Sequence, residues 1–501
     1  MSQDAVLAFL SDSACHGGST VERIDTHISA VFLAGERALK LKKAVRLPFL
    51  DFSTLEARHR ACLAEVEVNR AAADGLYLGV RAVTAGPDGR LALDGAGAVV
   101  DWVVEMRRFD QNGLFDRQVR DGRLDRTGIN AAIEAVAAFH RSAPPRPDKG
   151  GAAGLAWTID TNRASMLAHL PRDKVEALAE ASHAALARHT PVLERRRDTG
   201  FVRRCHGDLH LGNICLFEGH PTLFDAIEFS EDIACIDVFY DLAFLLMDLD
   251  CRGARPLASH ALNHYLDLGG DFDGVEPLPL FLSARAGVRA HVSATIAAAA
   301  VGETAERLRG EALSYLDAAL AYLSPPPPRL LAVGGLSGSG KSRMGRELAP
   351  FLAVPGAAVV RSDALRKHLM GVAIHDKLGP EGYAPEVGER TYRALYDTCA
   401  RVLAMGHAVV ADAVFARAEQ RQEIEAVARR AGVPFDGLWL EAPPELSTDR
   451  IAKRRANVSD ATVAVLEQQM GYDLGVIDWR RIDTDASKEA ALAAGRAALG
   501  V

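Results

Sequence analysis

An excess of charge of either sign is what this sequence lacks: 58 Lys and Arg stand against 66 Asp and Glu in 501 residues, a formal charge of -8. That balance removes any bulk electrostatic case for binding nucleic acid or an anionic membrane and leaves only local basic patches. Long hydrophobic runs are missing too. No stretch approaches the roughly 18 uncharged apolar residues a membrane helix needs, and the opening "MSQDAVLAFLSDSACHGG" has no basic n-region and meets acids early. Neither membrane insertion nor secretion is expected. Cysteine is sparse, with seven residues at 15, 62, 205, 215, 235, 251 and 399, no C-x-x-C and no Cys/His spacing that suits zinc. The expected setting is reducing and cytoplasmic.

Core material, by contrast, is plentiful. Hydrophobic residues make up 49% and charged residues 25% of the chain, the composition of folded globular proteins, and the length suggests two or three domains of about 100 to 200 residues each. Four prolines, Pro325 to Pro328, cannot continue the helical pattern before them and form a short, stiff linker at 324–328. The organisation expected is a domain over 1–323 and a second over 329–501. In the first, "HISAVFLAGERALKLKK" reads as two strands around a turn at Gly35-Glu36 and "AVVDWVVEMRRF" as another, while Ala284 to Leu323 is Ala-rich with helical spacing. A small β-rich lobe joined to a larger helical lobe, α+β in class, is the implied arrangement. After the linker, the apolar runs "LLAV", "AAVV" and "HAVVADAVF" alternate with charged helical stretches, the pattern of an α/β parallel sheet covered by helices.

Chemistry gathers first at "CHGDLHLGNICLF", Cys205 to Phe217, with the spacing H-x-D-x-x-x-x-N. Phosphoryl transfer needs a carboxylate to orient the acceptor hydroxyl and oxygen ligands for a divalent cation. Asp208 fits the first role, Asn213 the second, and Asp225 in "PTLFDAIEFS" supplies the second metal ligand one strand later, with Glu228 beyond it. His206 is expected to brace the loop, and His210, Cys205 and Cys215 to be structural. Upstream, Lys40 and Lys42 share one face of a strand. Either can hold the α/β phosphates of a nucleotide, with Lys40 preferred. Glu65 or Glu67 in the following helix can pair with that lysine, and Glu65 is favoured for its place on the polar side of the pattern. Met106 to Arg108 read as the strand into a hinge whose backbone would meet an adenine.

These segments, "HGDLHLGN" with "FDAIEF" and "IDVFYDLAFLLMDL", resemble the aminoglycoside phosphotransferase family, relatives of the protein kinases, over Met1 to about Leu323. The resemblance implies a bilobal protein-kinase-like fold, ATP with Mg2+, and an aspartate bracing the catalytic loop, which corresponds here to Asp237. The sequence departs from a G-x-G-x-x-G loop before the lysine, so "DTHIS" (Asp25 to Ser29) is expected to cover the phosphates, and no residue singles out an aminoglycoside as acceptor.

The second cluster is "GLSGSGKS", which fits G-x-x-x-x-G-K-[ST] between the strand "RLLAV" and the helical "RMGRELAPFL". Loop amides from Gly335, Ser337, Gly338, Ser339 and Gly340 are expected to cradle phosphates, with Lys341 on the β/γ oxygens and Ser342 on the metal. Asp412 closes a strand as a further metal-side carboxylate. Asp363, read as the end of the second strand, is placed to act as base toward an acceptor hydroxyl, with Arg366 clamping the substrate. Arg450, Arg454 and Arg455 share a helix; Arg450 would close on the nucleotide and Arg454 stabilise the transferring phosphoryl. This half resembles the P-loop (AAA-type) small-molecule kinases of the gluconate and shikimate kinase kind, and "RSDALR" also looks like the acceptor segment of polynucleotide and zeta-toxin kinases.

The function expected is a bifunctional ATP-dependent phosphotransferase with two centres acting on hydroxyl groups of small molecules. Two alternatives stand beside it. The P-loop half can be a nucleotide-sensing regulatory module, or a nucleic-acid-end or nucleotide-sugar kinase, although the charge balance argues against nucleic acid.

Overall fold

The computed structural model describes residues 2–47, 50–70, 72–453, 460, 462–485 and 487–501. Two compact units are present: Met1–Leu155 with Leu193–Leu245, and Ala156–Val192 with Leu246–Val501. No helix among the described residues is long and apolar enough to cross a membrane.

The first unit is built on a six-stranded antiparallel sheet. Its strands are β1 (Val21–Asp25), β2 (Ser29–Ala34), β3 (Arg37–Lys42), β4 (Tyr77–Ala85), β5 (Leu91–Leu93) and β6 (Ala98–Arg107), in the spatial order β1-β2-β3-β6-β4-β5. The expected turn at Gly35-Glu36 joins β2 to β3, pairing Ala34 with Arg37. Helix α1 (Leu55–Arg70) lies on the sheet through Arg58, Ala61, Cys62, Glu65, Val66 and Asn69, a spacing of three and four that puts one helical face down. Cys62 and Val66 pack there with Leu33, Ala38, Val104 and Met106.

A second layer of this unit carries the loop at 205–213. Strand β7 (Val202–Arg204) enters the loop, β8 (Ile214–Phe217) leaves it, and β8 turns back into β9 (His220–Leu223). Glu218 and Gly219 both have positive φ, 52° and 84°, the backbone a two-residue hairpin turn requires. Strand β10 (Cys235–Asp237) pairs with β7 and runs straight into helix α3 (Val238–Cys251), while α2 (Arg126–Ser142) packs through Ile129, Ile133, Val136 and His140.

In the second unit, β11 (Leu330–Gly334), β12 (Ala358–Arg361), β13 (Val409–Asp412), β14 (Phe435–Glu441) and β15 (Arg480–Asp483) form a parallel sheet in the order β12-β13-β11-β14-β15. Strands β11, β12 and β13 are buried along their whole length, as a sheet covered on both faces demands. Leu331, Val333, Val359 and Val410 meet Met344 and Leu348 in the core.

This unit also takes in helices that precede the proline run, among them α4 (Arg255–Gly269), which lies beside the edge strand β12. There the Asn263 side chain replaces a neighbouring strand: Nδ2 donates to Ala357 O at 3.0 Å and Oδ1 accepts from Val359 N at 2.6 Å. Both backbone groups are buried, and leaving such a group unmatched costs about 1–3 kcal/mol. Asn263→Ala is therefore expected to lower the unfolding free energy of the full chain by about 2–6 kcal/mol in urea titrations, the sum for two unmatched groups. A loss within experimental error would mean that this side chain does not seal the edge.

Candidate functional site

Glu65 lies at the centre of the first cluster. Its side chain is fully buried between two ammonium groups: Lys40 Nζ donates to Oε1 at 2.8 Å and Lys42 Nζ to Oε2 at 2.7 Å. The strand period of two brings both lysines to the face on which α1 rests. Glu65 is on the buried face of that helix, not on the polar side the sequence pattern suggested, and Glu67 is exposed. The two lysines then diverge. Lys40 also pairs with Asp225, whereas Lys42 is closed off by Glu228 and only 1% of its side chain meets solvent. Lys40 is thus the lysine that faces the loop carboxylate, while Lys42 and Glu228 form a second buried pair that anchors it.

The loop itself is held by Asp241 rather than by Asp237. Asp241 accepts from His206 N at 3.0 Å and Gly207 N at 2.9 Å, and His140 Nε2 lies 3.1 Å from the same carboxylate. Asp237, at the end of β10, takes Arg196 at 2.7 Å and the amide of Phe239 at 2.8 Å. The reason is geometric: Asp237 still belongs to a strand, and one helical turn is needed to bring a carboxylate back over the loop. The pair at four-residue spacing in "IDVFYDLAF" was the signal available, but spacing alone does not say which member faces inward.

His206 ties the loop to the segment before Asp225, with its Nε2 2.9 Å from Phe224 O. Burial holds its imidazole below the usual range, against the pull of Asp241 and Asp208. Asn213 Nδ2 donates to Asp208 O at 2.8 Å and Asp208 Oδ2 at 3.0 Å, and Asn213 O accepts from Phe224 N at 3.1 Å. Asp208, Asn213 and Asp225 are therefore brought together. Asp225 has a left-handed φ of 63°, uncommon outside glycine, and Tyr77 Oη lies 3.0 Å from its amide. With the Asn213 nitrogen committed to Asp208, its amide oxygen and the Asp225 carboxylate make an all-oxygen set that fits a hard divalent cation.

The hinge differs from expectation. Met106 lies within the sheet, opposite Ala38 and Tyr77, and the Arg108 amide already donates to Glu36 O at 2.8 Å. The Arg108 backbone therefore has no free N–H to offer a base. A cavity of about 430 Å³ opens beside this segment, lined by Glu22, Glu36, Arg108, Asp110, Asn112 and Arg117 among others. None of Lys40, Asp208 and Asp225 lines it, so it is separate from the cluster. The Asp25–Ser29 stretch joins β1 to β2, where Thr26 N donates to Ser29 O at 2.9 Å.

The second cluster surrounds the loop between β11 and α5 (Lys341–Leu348). Gly335, Gly338 and Gly340 have φ of 140°, 87° and 92°, and a Cβ at Gly338 would lie 2.6 Å from Ser447 O. Only glycine fits that close approach. Arg450 reaches the loop, with Nη1 3.0 Å from Thr484 Oγ1 and Nη2 donating to Thr484 O at 2.7 Å, while Thr484 Oγ1 donates to Ser339 O at 3.1 Å. Arg454 and Arg455 lie outside the described residues.

Asp412 ends β13, 3% exposed, and its Oδ1 has no hydrogen-bond partner. Burial raises its carboxyl above the ordinary value, against the pull of Arg361, Lys341 and the Ser342 hydroxyl. A buried carboxylate oxygen without a partner, beside a serine hydroxyl and a glycine-lined loop, fits a magnesium-bound phosphate chain. Asp363 sits in the first turn of helix α6 (Ser362–Met370), two residues past the strand end, close enough for its charge to bear on Asp412 and Tyr383. Arg366 Nη1 donates to Gly382 O at 2.9 Å and its guanidinium lies 5.2 Å from the Tyr383 ring. Gln469, which nothing in the sequence singled out, accepts at Oε1 from the loop amide of Ser337 at 2.8 Å.

With this geometry in view, two family matches frame the chain: residues 96–278 match the phosphotransferase enzyme family and residues 330–472 match the AAA domain. Each match takes in the loop of one cluster, the first from just before β6 to beyond the loop at 205–213 and the second from β11 to beyond Gln469. Uncharacterized protein Rv2004c of Mycobacterium tuberculosis (strain ATCC 25618 / H37Rv) is 29% identical over 486 residues, 93% of this chain and 92% of that protein. Uncharacterized protein Mb2027c of Mycobacterium bovis gives the same figures. Among solved structures, a choline/ethanolamine kinase family protein from Mesorhizobium loti covers 64% of this chain and 99% of its own, at 17% identity and TM-score 0.40. The APS kinase CysC of Mycobacterium tuberculosis covers 35% and 99%, at 23% identity and TM-score 0.28.

The charge balance around Glu65 makes a pH prediction. Burial raises its carboxyl, but Lys40 and Lys42 outweigh this and hold it at about 2 against an ordinary 4.5. Glu228 moves the other way, lifted by burial despite Lys42. A depressed carboxyl stabilises the fold above its unfolded value and loses that contribution as pH falls toward the folded one. Stability should therefore drop between about pH 4.5 and about pH 2, and Glu65→Gln should remove that part of the slope while costing up to about 3–5 kcal/mol at neutral pH, because each buried lysine loses one of its two carboxylate partners. Parallel pH profiles of wild type and variant would contradict the assignment.

Proposed function

We propose that the chain is an ATP- and Mg2+-dependent phosphotransferase with two centres, each transferring a phosphoryl group to a hydroxyl of a small molecule. The observation that carries the reading is the assembly of Lys40, Glu65 and Asp225 in one ion-paired chain with Asp208 and Asn213 hydrogen-bonded on the adjoining loop. In the first centre Lys40 holds nucleotide phosphates, Asn213 and Asp225 hold the cation, and Asp208 orients the acceptor hydroxyl and takes its proton. The cation, when bound, neutralises charge that develops on the transferring group. In the second, amides of the loop from Gly335 to Ser342 bind phosphates, Lys341 the β/γ oxygens, and Ser342 with Asp412 the cation. Asp363 serves as base and Arg366 as the acceptor clamp. We further propose the proline run as the sequence boundary between the two halves and a cytoplasmic setting for both.

One observation favours a second reading of the P-loop half. Gln469 already occupies the Ser337 amide, a group that could otherwise meet a phosphate oxygen, as suits a nucleotide sensor whose occupancy is read by the helix carrying Gln469. Asp363→Asn separates the two: a sensor keeps its nucleotide response and has no transfer to lose, whereas a kinase centre loses transfer.

The test is ATP turnover and phosphorylation of a metabolite library by the full chain. Asp208→Ala should lower transfer at the first centre by about 10²–10⁴-fold, the usual contribution of a positioned acid–base group, and leave acceptors of the second unaffected. Lys341→Ala should do the reverse. Unchanged turnover in both variants would overturn both assignments.

A further inference from the structure

Helix α4 precedes the proline run in sequence, yet it presents a charged residue to the interior of the second unit. Asp267, 2% exposed, lies one turn beyond Asn263, the side chain that seals the edge of β12. Its Oδ2 accepts from Arg361 Nη1 at 2.8 Å and from Arg346, and its main-chain oxygen lies 2.9 Å from His368 Nε2. Arg346 is on α5, the helix that follows the glycine loop, and Arg361 is the last residue of β12.

Arg361 stands between two buried carboxylates. Its Nη1 is committed to Asp267, while Nε lies 3.4 Å from Asp412 Oδ2 and makes no hydrogen bond. That separation exceeds the 2.7–3.2 Å or so of a formed N–H···O bond. Arginine and a carboxylate otherwise favour two parallel hydrogen bonds, and such a pairing would engage both oxygens of Asp412. In this structure Oδ1 is instead without a partner, while the Ser342 hydroxyl and the Lys341 charge bear on the carboxylate.

We infer that Asp267 is a positioning residue for the second centre: by holding Arg361 it keeps the guanidinium from closing on Asp412 and leaves that carboxylate open to a divalent cation. The role rests on the reading of Asp412 as a metal-side ligand. It means that a side chain from before the linker sets the metal affinity of the domain after it, so a P-loop half cut at the prolines lacks one of its own parts.

The test uses the full chain with nucleotide binding at the first centre removed by Lys40→Ala and measures the dissociation constant of ADP by calorimetry with and without saturating Mg2+. Asp267→Asn should weaken MgADP binding about ten-fold and leave metal-free ADP binding unchanged, because the glycine cradle is intact. Arg361→Gln and Asp267→Asn/Arg361→Gln should bind MgADP alike, since without the guanidinium Asp267 has nothing to restrain. Should Asp267→Asn alone not fold, Asp267→Asn/Arg346→Met, which removes the guanidinium left without its acid, carries the same comparison. Equal loss with and without Mg2+, or an Asp267→Asn effect that persists in the Arg361→Gln background, overturns the role. A parent chain whose ADP binding ignores Mg2+ overturns the reading of Asp412 and this role with it, whereas a magnesium-dependent parent whose dependence survives Asp267→Asn overturns the role alone.

Discussion

The carboxylate of Glu65, shared by Lys40 and Lys42 in the interior of the first unit, is the interaction on which the first cluster depends. Three ions are buried there away from bulk solvent, so each must be met by charge and by hydrogen bonds. The pairing forces α1 onto the sheet at one rotation and fixes which lysine turns outward. It also extends through Asp225 and Glu228 to the segment that follows the loop. Sheet, helix and loop are thereby held in one electrostatic frame: Lys40 holds the Asp225 carboxylate, and the Phe224 amide bonded to Asn213 O brings that segment to the loop of Asp208 and Asn213.

The second cluster uses the same physics with the same signs, one buried carboxylate shared by two cations. Arg361 and Arg346 are buried cations balanced by Asp267, and Asp412 is a buried anion whose second oxygen is unmatched. A buried network with every group satisfied is stable and silent, while one unmatched oxygen marks a place for a ligand. The glycine loop beside it is strained only where backbone must approach closely, at Gly335 and Gly338. Arg450 and Thr484 then hold the loop in that shape from the far side.

Much of this was legible in the residue order. Strand alternation in "RALKLKK", the H-x-D-x-x-x-x-N spacing and the strand–loop–helix context of "GLSGSGKS" are local patterns, and local patterns survive into the fold. What was not legible depended on orientation across distance. Asp241 and Asp237 are equivalent by spacing, and only the start of α3 decides between them. Glu65 was singled out for a polar face that proved to be the buried one, because an ion-paired acid in a core looks like a surface acid in sequence. The Arg108 amide is taken by a turn seventy-odd residues earlier, at Glu36. Gln469 and Asp267 belong to no motif; they act through single contacts that only the packed chain creates.

The account stands on there being two separate sites for a metal-bound nucleotide, one at each cluster. The stoichiometry of MgATP bound to the full chain, measured by equilibrium dialysis at saturation, tests that directly. Two nucleotides per chain, falling to one in Lys341→Ala and to the other one in Lys40→Ala, is the predicted result. A single nucleotide per chain that is lost in only one of the two variants, or none at all, would contradict it.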